Sequence, residues 1–223
     1  MSKSYYRDKL TADRLLRAYQ LAPPRVKQYL AAEIDYVRSQ IKNGDLVLEL
    51  GCGYGRVLWD LAAQARLLVG IDTSLSSLHL ATKSRAANCQ LACMDAVELG
   101  FGDQSFDIVV CIQNGISAFH VDKDKLITEA LRITRVGGIA FFSSYSSKFW
   151  QQRLAWFRLQ AEAGLVGEIE EAETGGGRIV CKDGFCATTV GAEEFMSLTG
   201  NLNAKVELVE VDESSLFCRL TPL

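Results

Sequence analysis

The sequence predicts an α/β fold in which helices cover both faces of a mostly parallel, doubly wound sheet. Short apolar runs at residues 46–50, 67–71 and 108–112 have the composition of strands buried on both faces. Stretches with helical spacing of apolar residues alternate with these runs. Glycines or acidic residues follow several of the runs, which places them at the carboxyl ends of the strands, where such sheets bind ligands.

The composition predicts a single globular domain. Of the 223 residues, 48% are hydrophobic, which is enough for one core. The formal net charge of −3 argues against a large nonspecific contact with nucleic acid. No apolar run approaches the ~20 residues of a membrane span, and the N-terminus has no apolar signal region. The seven cysteines form no Cys-x-x-Cys pair, which predicts reduced, buried thiols in a cytoplasmic protein.

Two helices are predicted before the first strand. The first spans residues 11–21 and ends before Pro23-Pro24. The second carries apolar residues at spacings of three and four between Val26 and Ile41, and ends at Asn43-Gly44. Periodicity alone leaves open whether these helices only pack on the sheet or also cover a ligand.

A glycine-rich turn follows the first strand. Gly51, Gly53 and Gly55 let the backbone bend tightly and approach a ligand closely, and a helix is predicted from about Arg56. A nucleoside triphosphate loop would continue with Lys and Ser or Thr, but Arg56-Val57 stand there. A dinucleotide fingerprint would need its third glycine at position 56. Both of these nucleotide classes are therefore disfavoured.

Acidic residues end the next two predicted strands. Asp72 ends the second strand, where a carboxylate can accept hydrogen bonds from two ribose hydroxyls. Ser74 is a better cap for the helix predicted over residues 75–87, which leaves Asp72 for a ligand. The third strand is predicted over residues 89–94 and ends at Asp95. The fourth runs out into Gln113-Asn114.

The joint pattern over residues 45–145 resembles the class I S-adenosylmethionine-dependent methyltransferases. Glu49-x-Gly51-x-Gly53-x-Gly55 is similar to their motif I, and Ser105-Phe-Asp-x-Val-Val110 is also similar to the family. The resemblance implies a Rossmann-like, seven-stranded sheet whose last strand is antiparallel. It implies one enzyme domain over residues 1–223, similar to methyltransferase types 11 and 25, that transfers a methyl group to a small-molecule acceptor by in-line displacement.

The resemblance also implies the cofactor, S-adenosyl-L-methionine, with S-adenosyl-L-homocysteine as its product. Asp72 would bind the ribose, Asp95 the adenine amino group, and the Gln113-Asn114 turn the methionine end. Met94 would pack on the adenine or in the core. No metal is predicted. The predicted cofactor-binding residues are Glu49, Gly51, Cys52, Gly53, Gly55, Asp72, Thr73, Met94, Asp95, Ala96, Gln113 and Asn114.

The acceptor side has fewer signals. His120 follows the Asn114 loop and is the best candidate for a catalytic base, since imidazole titrates near neutral pH; the alternative is a surface residue. Tyr5, Tyr6 and Tyr145 are predicted to line the substrate pocket. The Asp/Asn-Pro-Pro-aromatic motif of DNA amino-methyltransferases is absent after the fourth strand, which argues against base methylation.

The sequence divides into four predicted segments. Cap helices occupy residues 1–44, and the cofactor-binding core occupies residues 45–145. Residues 146–190 are predicted to be an insertion after the fifth strand, with a hairpin at Asp183-Gly184, that forms either a lid or a stabilising hairpin. Residues 191–223 are predicted to supply a helix and the closing strand pair.

Several alternatives remain open from the sequence. One alternative is a methyltransferase that acts on RNA or protein. A second is a noncatalytic protein that binds an adenosine cofactor, and a third is an NAD-dependent oxidoreductase. The spacings Cys89-x-x-x-Cys93 and Cys181-x-x-x-x-Cys186 suggest a further alternative, in which thiolates bind a metalloid. Cys93 is expected to face the sheet core, which argues against it. We expect a monomer or homodimer with no membrane partner and no nucleic-acid partner.

Overall fold

A seven-stranded sheet runs through the protein, with helices on both of its faces. The computed structural model describes residues 5, 9–10, 12–84 and 86–223. Within that part of the chain the helices are α1 Ala12–Gln20, α2 Pro24–Arg38, α3 Arg56–Leu61, α4 Leu75–Ala81, α5 Gly115–Ala118, α6 Lys123–Ile133, α7 Trp150–Glu162 and α8 Ala192–Thr199. The strands are β1 Leu46–Leu50, β2 Leu67–Asp72, β3 Cys89–Cys93, β4 Phe106–Cys111, β5 Thr134–Tyr145, β6 Ile179–Val180, β7 Cys186–Ala187, β8 Ala204–Val211 and β9 Ser215–Pro222.

The strand order is β3-β2-β1-β4-β5-β9-β8. The first five strands pair in parallel, and β9 lies antiparallel between β5 and β8. The predicted sheet, mostly parallel with an antiparallel last strand, is therefore confirmed. Because the order reverses direction between β1 and β4, the carboxyl ends of these two strands frame the crevice where such sheets bind ligands.

Alternating residues of the central strands enter two separate cores. Val47 packs with α2 and α3 on one face, while Leu48 packs with α6 and α8 on the other. The apolar runs are continuous because both faces are covered, as expected for parallel strands. The doubly wound arrangement predicted from these runs is confirmed.

Some predicted boundaries were wrong. The helix predicted over residues 75–87 ends at Ala81 and continues as a single 3-10 turn at Thr82–Ser84. Residues 168–174 of the insertion form turns, with one bridge between Ile169 and Cys181. The hairpin at Asp183-Gly184 is present, although its strands β6 and β7 have only two residues each.

Helix α1 packs against the segment that follows β5. The indole Nε1 of Trp156 in α7 donates to the Ala18 carbonyl at 3.0 Å. The guanidinium of Arg14 donates to the carbonyls of Gly164 and Leu165 at 2.8 and 2.9 Å. These contacts join α7 and the residues just after it to the N-terminal region. We call residues 9–10, α1, α7 and residues 165–188 together the outer layer.

The outer layer is attached to the sheet domain by polar contacts. The Ala12 amide donates to Ser77 Oγ in α4 at 3.1 Å, and the Asn114 side chain donates to the Thr188 carbonyl at 3.0 Å. Leu15 of α1 lies close to the glycine turn, since a Cβ at Gly53 would be 3.2 Å from its methyl group. Among the described residues, no helix is both long and apolar enough to cross a membrane.

Candidate functional site

The turn after β1 has a backbone that glycine makes possible. Gly51 has a φ of +72°, and an added Cβ there would lie 2.4 Å from the ring of Phe119. The left-handed backbone conformation of Gly51 and the nearby Phe119 ring therefore both exclude a side chain at this position. The turn is held by the amide of Cys52, which donates to the Ile71 carbonyl at 2.8 Å, and by the amide of Gly53, which donates to Asp72 at 2.9 Å.

Asp72 has capacity for a ligand beyond its protein contacts. One carboxylate oxygen accepts the Gly53 amide, and the other accepts the Ser74 amide at 2.7 Å. Ser74 itself caps α4 by accepting from the Ser77 amide, as predicted. A carboxylate has about four lone-pair sites, so two remain for a pair of hydroxyl donors. Burial raises the pKa of Asp72, while the backbone amides of Ser74, Gly53 and Thr73 oppose that rise.

Glu49 is a buried acid with an unused oxygen. Its side chain is 5% exposed, and its Oε2 has no hydrogen-bond partner among the described residues. Burial raises the pKa of Glu49 to about 8, with Arg56 opposing the rise and Asp72 adding to it. A buried, partly unsatisfied carboxyl beside a cavity favours a cationic or hydrogen-bonding ligand.

The turn after β4 is held from three sides. Gln113 and Asn114 both have a positive φ. The Gln113 amide donates to Glu33 Oε2 at 2.6 Å and to Ser143 Oγ at 2.8 Å, and its side-chain oxygen accepts from Arg56. Glu33 is fully buried in α2, and burial raises its pKa to about 7.

The side-chain amide of Asn114 makes hydrogen bonds through both its nitrogen and its oxygen. Its nitrogen donates to the Thr188 carbonyl at 3.0 Å, and its oxygen accepts from Ser144 Oγ at 2.7 Å. The same serine accepts the Val190 amide at 2.8 Å. The side chain of Asn114 therefore ties the end of β4 to β5 and to the end of the insertion.

The turn after β3 lies at the other end of the site. Met94 Sδ accepts the Gly100 amide at 3.4 Å, and the Asp95 carboxylate accepts the Val97 amide at 3.1 Å. Asp95 is exposed and Ala96 is buried. One oxygen of Asp95 is thus occupied by the turn, which leaves the other for a ligand amino group.

These turns surround one cavity of about 330 Å³. Such a volume lies at the small end of the range for small-molecule sites. The cavity is lined by every predicted cofactor residue except Gly55, by His120 and by Tyr145. Its described lining is completed from the outer layer by Leu10, Leu15, Ala18, Tyr19, Trp156, Phe157 and Gln160, and from the sheet domain by Tyr54, Arg56, Val57, Ser74, Ser77, Ile112, Gly115, Ala118, Phe119 and Val121.

Gly55 does not line the cavity and instead packs against α3. Its φ is +88°, and a Cβ there would lie 2.5 Å from the indole of Trp59 in α3. The residue serves the close packing of the turn on α3 at the N-terminus of that helix.

His120 lies at the exposed rim of the cavity. Its φ is +54°, in the left-handed region. Partial burial of the ring lowers the pKa of His120, and a hydrogen bond to the backbone of Cys186 opposes that effect. The imidazole is therefore largely neutral near physiological pH and can accept a proton. His79, in contrast, is exposed on α4, away from the lining.

The three predicted acceptor-pocket tyrosines have different outcomes. Tyr145 lines the cavity, with the Arg153 guanidinium 4.5 Å from its ring centroid. Tyr5 does not line the cavity; its hydroxyl donates to Asp183 Oδ2 at 2.5 Å and its ring packs edge-on against Phe185. Tyr5 thus fastens the N-terminal segment to the hairpin. Tyr6 lies outside the described residues.

The cysteines do not form a metal or metalloid cluster in the part of the chain that is described. Cys89 is buried, but Cys93 is exposed, so the expectation that Cys93 faces the sheet core was wrong. The reason is its position at the last residue of the edge strand β3, in register with Asp72 at the carboxyl end of the sheet. Cys181 is buried and Cys186 is partly buried, and both are free thiols.

Comparison with known proteins agrees with this geometry. Residues 47–138 match a family model described as a methyltransferase domain. Over these residues the chain is similar to a methyltransferase domain. The matched residues run from β1 to the glycines of β5 and so include all the turns that line the cofactor side of the cavity.

Individual relatives match parts of the domain. The ubiquinone biosynthesis O-methyltransferase of Coxiella burnetii is 30% identical over 121 residues, which are 52% of this chain and 50% of the relative. The 2-methyl-6-phytyl-1,4-hydroquinone methyltransferase of Synechocystis is 29% identical over 178 residues, which are 69% of this chain and 55% of the relative. The chain thus spans about half the length of these curated relatives.

A solved structure extends the likeness of the fold to the whole chain. A protein from Pyrococcus horikoshii superposes with a TM-score of 0.67 at 20% identity, covering 100% of both chains. At this identity the similarity concerns the fold alone.

Sequence reasoning missed five residues of the site: Glu33, Arg56, Tyr19, Trp156 and Gln160. Glu33 and Gln160 share a signal that was readable, because each is a polar residue on the apolar side of its helix. Glu33 follows Tyr29 by four positions in α2, and Gln160 follows Trp156 by four positions in α7. Tyr19 and Arg56 meet only in the fold, with the guanidinium 4.4 Å from the ring centroid.

Proposed function

We propose that this protein transfers a methyl group from S-adenosylmethionine to a small aromatic acceptor. The observation that carries the proposal is the single cavity in which the methyltransferase turns meet an aromatic wall from the outer layer. Tyr19, Trp156 and Phe157 supply that wall together with Tyr145. Planar side chains of this kind bind planar ligands through stacked and edge-on contacts.

The cofactor fits the polar groups on the sheet side of the cavity. In our proposal the free lone pairs of Asp72 accept the two ribose hydroxyls, and Asp95 accepts the adenine amino group. The unsatisfied oxygen of Glu49 lies where the positively charged amino acid end needs a counter-charge. The absence of a side chain at Gly51 makes room for the Phe119 ring, which lines the same cavity.

S-Adenosylmethionine, when bound, supplies a methyl group on a sulfonium centre. The protein contributes alignment of the acceptor and exclusion of water, which in-line displacement requires. In this proposal the aromatic wall holds the acceptor, and the outer layer acts as a lid over it. His120 takes the proton from the attacking hydroxyl, which its lowered pKa allows near neutral pH.

The acceptor class is narrowed by the relatives and by the cavity. One relative is named for ubiquinone biosynthesis and another for a hydroquinone. A hydroxylated aromatic ring suits the aromatic wall, and a cavity of about 330 Å³ favours a compact acceptor over a macromolecule. A cytoplasmic location and a monomeric or homodimeric state remain predictions from the sequence.

A transfer assay with S-adenosylmethionine labelled on the methyl group tests the proposal. Small phenols and hydroquinones form one panel, and total RNA and a protein mixture form the other. Label should enter members of the first panel only. Label entering RNA or protein alone would contradict the acceptor class, and cofactor binding without transfer to any acceptor would support the noncatalytic alternative.

A further inference from the structure

Gln160 is a buried polar residue that the proposed transfer does not yet use. It is 2% exposed, lies in the last turns of α7 and lines the cavity. Its Nε2 has no hydrogen-bond partner among the described residues. A buried amide nitrogen without an acceptor is costly, by about 1–3 kcal/mol, so its retention at a cavity indicates a ligand that supplies the acceptor.

The neighbours of Gln160 are aromatic rather than charged. Trp156 and Phe157 precede it on α7 and line the same cavity. The one lysine or arginine among the described lining residues is Arg56. One of its terminal nitrogens donates to the Gln113 side chain and its guanidinium lies over the ring of Tyr19, while its Nε has no hydrogen-bond partner among the described residues. The donor beside Trp156 and Phe157 is therefore neutral, and the one lysine or arginine of the described lining is bound to the turn after β4.

This combination discriminates among acceptor classes. A carboxylate or phosphate on the acceptor would need a cation at that end. A purely hydrocarbon ring would leave the Gln160 nitrogen unsatisfied. A neutral, planar molecule with a carbonyl or ether oxygen satisfies both the aromatic wall and the amide donor.

We propose that Gln160 is a specificity-determining residue whose Nε2 donates to a neutral oxygen on the aromatic acceptor. The inference rests on the proposed function, because it concerns the same acceptor site. It adds that the acceptor carries a second oxygen besides the one that is methylated, and that Gln160 selects for that oxygen.

Matched phenols provide the probe. 4-Hydroxyacetophenone and 4-ethylphenol share the ring and the hydroxyl group and differ in the carbonyl oxygen. Their affinities are measured by calorimetry on protein loaded with excess S-adenosylhomocysteine. The wild type should bind the ketone at least about fivefold more tightly, which corresponds to one net hydrogen bond of about 1 kcal/mol.

Two variants on α7 make the comparison specific. Gln160→Met keeps the size of the side chain without the donor and should reduce the preference for the ketone to about twofold or less. Gln152→Met is the matched control, because Gln152 is exposed on the same helix and should keep the full preference. Both variants should keep the affinity for S-adenosylhomocysteine, and neither should melt below the wild type, because Gln160→Met removes a donor that has no acceptor in the free protein. A purely structural role of Gln160 would instead lower the melting temperature and leave the ratio unchanged.

The outcomes separate this inference from the proposed function. Failure of the wild type to bind S-adenosylhomocysteine would remove the proposed function itself. Normal cofactor binding together with equal affinities for the two phenols, with binding of neither, or with a preference that persists in Gln160→Met would overturn the role of Gln160 alone.

Discussion

The two walls of the cavity are built in different ways. On the sheet side, the lining comes from turns at the ends of neighbouring strands. Backbone amides such as that of Gly53 hold these turns in place by hydrogen bonds. On the outer side, the lining comes from side chains of α1 and α7, which are more than a hundred residues apart. Turn geometry is encoded locally, whereas the outer wall exists only after distant segments have packed together. We expect substitutions in the two walls to have separable effects.

The largest effect should come from the first glycine of the turn. Gly51→Ala places a methyl group 2.4 Å from the Phe119 ring and imposes an unfavourable φ. The ring would be displaced into the cavity, so affinity for S-adenosylhomocysteine should fall by about 100-fold or more. Calorimetric titration of the purified variant measures this change.

Gly137→Ala is the matched control for that substitution. Gly137 also has a positive φ, of +77°, but no atom lies within 4 Å of its added Cβ. We expect a loss of stability of about 1–2 kcal/mol and no change in cofactor affinity. Equal binding losses in the two variants would show that backbone strain alone, rather than the space beside Phe119, limits the site.

Asp72→Ala should weaken binding of S-adenosylhomocysteine by about 100-fold, because two hydrogen bonds to a charged acceptor are lost. Asp107→Ala tests the opposite ends of the strands. Asp107 accepts the Leu46 amide and pairs with Arg135 at 2.7 Å, far along the strands from the cavity turns. That variant should melt at a lower temperature and bind the cofactor normally. Wild-type affinity in Asp72→Ala would contradict the placement of the ribose.

His120→Ala should lower the methyl transfer rate more than about tenfold while leaving cofactor affinity unchanged. His79→Ala, on an exposed position of α4, should transfer at the wild-type rate. Because partial burial lowers the pKa of His120, the wild-type rate should stay constant through neutral pH and fall only on the acid side of the ordinary histidine pKa, where the imidazole gains a proton. Unchanged turnover in His120→Ala would remove the base assignment.

Glu49 should make cofactor affinity depend on pH. Its pKa of about 8 means that the free protein carries a proton there at neutral pH. A cationic ligand group favours the ionised carboxylate, so the proton must leave on binding. Affinity should therefore fall as the pH is lowered from about 8 to about 6, by at most about tenfold per pH unit. In Glu49→Gln the slope should be absent; an unchanged slope would place the ligand ammonium elsewhere.

The fold and the sheet side of the site were largely predictable because their signals are local. Continuous apolar runs mark strands covered on both faces, and the structure confirms the sheet they predict. Asp72 and Asp95 both line the cavity, as expected for acidic residues that follow parallel strands. Neither inference needs a contact between distant residues.

The outer wall was not predictable to the same degree. Tyr5 and Tyr145 look equivalent as aromatic residues, yet the fold buries one against the hairpin and gives the other to the cavity. The difference arises from how residues 165–187 pack on the N-terminal segment, which no spacing rule specifies. Glu33 and Gln160 were detectable in principle, since a polar residue on an apolar helix face needs a buried partner.

Titration with S-adenosylhomocysteine, with NAD as the control ligand, tests the central claim most directly. The wild-type protein should bind S-adenosylhomocysteine in a 1:1 complex and should not bind NAD. Binding of NAD, or the absence of heat from S-adenosylhomocysteine, would mean that the cavity formed by the Gly51 turn and Asp72 does not hold this cofactor.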